Sequence, residues 1–141
     1  MQWWVLAAVA LGAPSNAAID QAVSERLVER IAELRVEGLL LRQGADVQEA
    51  LLDDGKLLEV ATNLHRPAVD ELLARHADAE LQVAELAMVY GEKHPELIAA
   101  RTRVQAVRQR LEDEVRLVVR ADRVQADALA MQEEALLSAA P

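Results

Sequence analysis

Phenylalanine and cysteine are absent from this chain of 141 residues, and Trp3, Trp4 and Tyr90 are its only Phe, Tyr or Trp residues. Aromatic side chains supply much of the buried area in an ordinary compact core. Their scarcity points away from one. The missing cysteines exclude disulfides, thiolate zinc sites and cysteine nucleophiles, and they leave the redox compartment open. Glycine and proline are also few, five and four, and they fall where helices would end. Basic patches are lacking too. The net charge is −9 and the pI about 4.8, and the arginines alternate with Glu and Asp as on a solvated helix face. Such a chain is a poor ligand for a nucleic-acid backbone, which rewards clustered Lys and Arg. What remains in quantity is Ala, Leu, Val, Glu, Arg and Gln. With 28% charged residues, that is the composition of long helices and coiled coils.

Residues 1–17 differ from the rest. Trp3 to Ala13 is an uncharged apolar run, followed by Pro14, Ser15, Asn16 and Ala17. The run is shorter than the roughly 20 apolar residues a spanning helix needs. It fits the apolar region of a signal peptide, with Ser15-Asn16-Ala17 as a weak cleavage-like tripeptide. No Lys or Arg precedes it, so a truncated or buried apolar end is the competing reading. The helical domain is expected over 18–141.

Val23, Leu27, Ile31, Leu34 and Leu41 recur at near-heptad spacing, with Gly38 in the row. Gly44 predicts a stop, Ala45 to Leu52 two further turns, and Asp53-Asp54-Gly55 a turn. A short helix is expected over Lys56 to Thr62, and a new start at Pro67. Val69, Leu72, His76, Ala79, Val83, Leu86 and Tyr90 then form a seam spaced 3, 4, 3, 4, 3, 4, in which only His76 is charged or basic. A helix of about 40 residues is predicted to start at Pro95, roughly 60 Å long. Its seam is Leu97, Ala100, Val104, Val107, Leu111, Val115 and Val118, then Leu129 and Leu136, with Asp122, Gln125 and Gln132 weakening the later part. The expected fold class is all-α: a long antiparallel coiled-coil hairpin with an additional upstream helix. A single helix kinked at Pro95 is the alternative.

Catalytic chemistry finds little support. None of Ser15, Ser24 and Ser138 sits in a nucleophile elbow, and no glycine-rich phosphate loop occurs. His76 and Glu80, four apart on one helix, could be half a metal site. No pattern completes it, so a seam histidine is preferred and neither metal nor cofactor is expected. The Glu and Asp residues read as solvation and i to i+4 pairing. In Tyr90-Gly91-Glu92-Lys93-His94-Pro95, His94 could cap the next helix, while Lys93 and His94 could face a partner at an exposed tip.

The stretch Glu85 to Ala99, with its Tyr90-Gly91-Glu92-Lys93-His94-Pro95 turn, followed by Val104-Gln105-Ala106-Val107 and the Glu114-Val115 step, resembles the coiled-coil part of bacterial polysaccharide co-polymerases. These are the chain-length determinant and exopolysaccharide export proteins. Asn63 to Leu72 looks like that family's lead-in to the helix, and Ser24 to Arg42 like its upstream helix. The resemblance covers roughly Ile19 to Leu137, and its turn motif is Tyr90, Gly91, Lys93, His94 and Pro95. It implies a non-enzymatic, periplasmic helical domain projecting from the inner membrane. It further implies a homo-oligomer built through coiled-coil seams, and contacts with polysaccharide polymerase or export proteins that affect polymer length. The family's flanking transmembrane helices, proline-rich segment, αβ portion and kinase domain find no counterpart here. That implies a fragment or a stand-alone relative. The alternative reading is a generic periplasmic coiled-coil adaptor of an efflux or secretion system.

Overall fold

A computed structural model describes residues 14–140. The apolar run ending at Ala13 therefore lies outside the described residues. Within them the protein is all-α, with four helices and no strand: α1 (Asn16–Asp53), α2 (Leu57–Leu64), α3 (Pro67–Val89) and α4 (Pro95–Ala139). Ser15, part of the cleavage-like tripeptide, opens α1. Its Oγ accepts a hydrogen bond from the Ala18 N–H at 3.3 Å, satisfying a donor that has no partner inside the helix.

The expected stop at Gly44 does not occur. The helix runs through it to Asp53. A lone interior glycine costs about 1 kcal/mol relative to alanine, too little to outweigh the row that continues beyond it. That row is Leu41, Ala45, Gln48 and Leu52, each buried or half-buried. An added Cβ at Gly44 would meet no atom within 4 Å. Gly44→Ala should therefore raise stability by about 1 kcal/mol, read as a higher urea midpoint at unchanged slope.

The stop after Asp53 is the predicted turn. Gly55 takes φ +77°, a backbone that only glycine adopts cheaply. The Lys56 N–H reaches back to the Leu51 carbonyl at 2.9 Å. The short helix is displaced slightly from the expected Lys56–Thr62. It ends at Leu64, with His65 in the left-handed region (φ 50°). Pro67 then occupies the first turn of α3, where its missing N–H costs nothing.

The described residues divide into two compact units, Leu40–Gln125 and a second made of 14–39 with 126–140. The first contains the continuous core: Ala45 and Leu52 of α1, Leu57, Val60 and Ala61 of α2, Val69 of α3, and Leu111, Val115 and Val119 of α4. Ala79, Leu97 and Ala100 are buried outside that cluster. Farther along α3 and α4, Val83, Leu86, Val104 and Val107 are only half-buried. Among the described residues of the second unit, Leu34, Ala126 and Leu129 are the buried apolar ones, and Val23, expected in the seam, is 60% exposed. Arg35 there donates to Glu133 at 2.6 Å.

The buried row of α4 departs from the strict heptad. Leu111, Val115 and Val119 are buried, at steps of four, while Val118 is half-buried. Two consecutive steps of four act as a stutter and rotate the buried row around the helix. Gln125 and Gln132, expected on the seam, are consequently exposed, and Ala126, Leu129, Glu133 and Leu136 take the inner row. Asp122 stays on it, half-buried, with Arg66 at 3.4 Å. Arg123 flanks the same row and bonds Glu49 at 3.0 Å and Asp46 at 2.6 Å. These two carboxylates hold the arginine proton more firmly than usual, first through the hydrogen bond to Glu49.

Candidate functional site

The turn between α3 and α4 gathers the residues singled out in the sequence, and most of them have a structural task. Tyr90 leaves the helix in an extended conformation while its N–H still donates to the Leu86 carbonyl at 2.8 Å. The His94 N–H donates to the Gly91 carbonyl at 2.9 Å, which closes the turn. His94 is then the cap of α4: its Nδ1 accepts from the Glu96 N–H at 3.2 Å, and its carbonyl accepts from the Ile98 N–H at 3.0 Å. The capping role expected of His94 is thus present, although histidine is not among the strongest cappers. The Tyr90 ring lies on the His94 imidazole, centroids 3.8 Å apart and planes 13° apart, which holds the capping nitrogen in place.

Gly91 has a different role from the one its position suggests. Its φ is not in the left-handed region, and a Cβ there would meet nothing within 4 Å. The helix ends because Tyr90 goes extended and Pro95 cannot follow a helical residue easily. No special glycine backbone is needed.

Glu92 was not singled out by spacing, yet it ties the turn to α4. Its carboxylate takes a two-pronged grip from Arg101, at 2.6 and 3.0 Å. They stand nine positions apart, so no i to i+4 rule reveals the pair. That hydrogen bonding, and then the nearby positive charge, holds the Glu92 carboxyl below its ordinary value and raises Arg101 above its own. A carboxyl whose folded pKa is depressed contributes stability above its unfolded value and loses it as pH falls through the folded one. The turn should therefore keep this tie at neutral pH and lose it only below the ordinary glutamate range near about 4.3. An NMR titration of Glu92 should give a midpoint below that range, and Arg101→Gln should restore it. Both groups are exposed, so the effect is local to the turn.

Lys93 is exposed and makes no ion pair among the described residues. It is the one charge of the turn that no other task occupies.

His76 is buried at 3% exposure, with its Nε2 lacking a hydrogen-bond partner and standing 3.8 Å from Glu80. It sits within the α3 seam, as its spacing indicated. Among the described residues no group of three or more His, Cys, Asp or Glu could hold a metal ion. No helix among them is long and apolar enough to cross a membrane. Comparison with family models, curated proteins and solved structures returned no match to this chain.

Proposed function

We propose that this chain is the non-enzymatic helical domain of a polysaccharide co-polymerase, acting in chain-length control and export of a surface polysaccharide through protein–protein contacts. The observation that carries the reading is the Tyr90–Pro95 turn. Its sequence is the part that resembles that family, and its Tyr, Glu, His and Pro are absorbed in joining two helices. A turn built this way needs no substrate to explain it.

The accompanying architecture we propose is a long antiparallel coiled-coil hairpin of α3 and α4 with α1 upstream. Supporting it, Arg103 of α4 donates to Gln82 of α3 at 2.7 Å. The two residues stand equally far from Tyr90 and Pro95, as a reversal at the turn requires. The seam residues Val69 to Tyr90 and Leu97 to Val118 are all buried or half-buried, which accords with two facing rows. In this reading the domain works in the periplasm, beside the inner membrane, as a homo-oligomer. It contacts the polymerase or exporter rather than the sugar.

Deleting the gene and sizing the surface polymer tests the reading. A shifted length distribution or a lost yield is expected. An unchanged polymer, in both length and amount, would remove this function.

A further inference from the structure

α3 carries two rows of apolar residues, and only one faces inward. The second is Ala74, Ala77, Leu81, Ala84 and Met88, spaced 3, 4, 3, 4, and all five residues are exposed. Leu81 is 58% exposed and Met88 87%. A heptad row of this kind is what another helix inserts its side chains into. Ala84 also belongs to an adjoining groove of about 390 Å³ lined by Glu80, Val83, Arg101, Val104 and Gln105, in which Arg101 is already engaged by Glu92.

The charges beside the row decide what can cover it. Asp70, Glu71, Asp78, Glu80 and Glu85 are all exposed on α3, against one exposed cation, Arg75. Arg75 is already engaged by Glu71 at 2.6 Å. A second copy of α3 laid on this row would set carboxylates against carboxylates. A helix with an apolar seam flanked by Lys or Arg would instead bury Leu81 and Met88 and meet the acidic flanks with opposite charge. We propose that the outer face of α3 is a docking surface for a basic amphipathic helix of another protein. The face and its charges carry this independently of the polysaccharide reading.

The probe is a synthetic three-heptad peptide with leucine in the seam and lysine at the flanks. Its counterpart replaces every lysine with glutamate. Calorimetry on the full chain should show the lysine peptide binding, more weakly as salt rises, and the glutamate peptide not binding. The double variant Leu81→Ser, Met88→Ser should weaken the lysine peptide by at least about tenfold, as should Glu80→Gln with Glu85→Gln. Circular dichroism should show these surface variants folded. The control Glu25→Gln with Glu29→Gln removes the same charge from α1 and should change affinity by no more than about twofold. Equal losses in the control and the α3 variants would mean attraction to net charge alone and would overturn the proposal. So would unchanged binding in the α3 variants, or sedimentation showing a dimer that Leu81→Ser, Met88→Ser disperses.

Discussion

Leu111→Asp should unfold the Leu40–Gln125 unit, costing more than about 4 kcal/mol. Leu111 is fully buried, at 0% exposure, in the cluster that joins α1, α2, α3 and α4. A carboxylate there would lose its hydration with no cation in that apolar cluster to replace it. The milder Leu111→Ala should cost about 2–5 kcal/mol, the usual sum of lost transfer energy and residual cavity. Val83→Asp is the informative comparison. Sequence spacing treats Val83 and Leu111 as equivalent seam residues, but Val83 is only half-buried. Its new charge could turn to water, and the cost should be nearer about 1–2 kcal/mol. Urea unfolding followed by circular dichroism would order the three. Equal losses at Val83 and Leu111 would mean that burial is uniform along α3 and α4, against the structure.

The second large effect is a difference in local stability within one chain. Of the buried apolar residues among the described residues, twelve belong to the Leu40–Gln125 unit and three, Leu34, Ala126 and Leu129, to the other. The second unit also leaves Val23, Val28, Val36, Leu39 and Met131 exposed. Helices gain most of their stability from packing an apolar face, and here little of that face is packed. Amide hydrogen exchange at Leu34 and Leu129 should therefore be faster than at Leu111 and Val115 by about 100-fold or more, or about 2.7 kcal/mol in opening free energy. Uniform protection would show that the two units open together, so that one cooperative transition governs the whole chain.

Much of the helical layout is legible in the sequence. The seam of α3 needs only its 3, 4, 3, 4 spacing, and all seven of its residues are shielded. Pro67 and Pro95 mark helix starts because proline fixes φ and gives up a donor that the first turn does not use. The Asp53-Asp54-Gly55 turn is equally plain, since a positive φ favours glycine. At the Tyr90–Pro95 turn, His94 can be recognised as a cap from its place before Pro95. Its stack with Tyr90 and the Glu92–Arg101 tie cannot, because each depends on how the chain turns in space.

Composition and periodicity alone determined that this is a helical protein, where most helices begin, and which rows are apolar. Those are local properties, set by propensity, proline geometry and the 3.6-residue turn. Tertiary structure alone decided which apolar row faces inward. α3 has two such rows, and only Val69 to Tyr90 is covered. It also carried α1 through Gly44, because burial of Ala45 and Leu52 outweighs one glycine. It put Val119, in place of the expected Val118, in the buried cluster with Leu111 and Val115. A periodic sequence specifies that a face exists, but the cost of leaving it in water is settled only by what comes to lie against it.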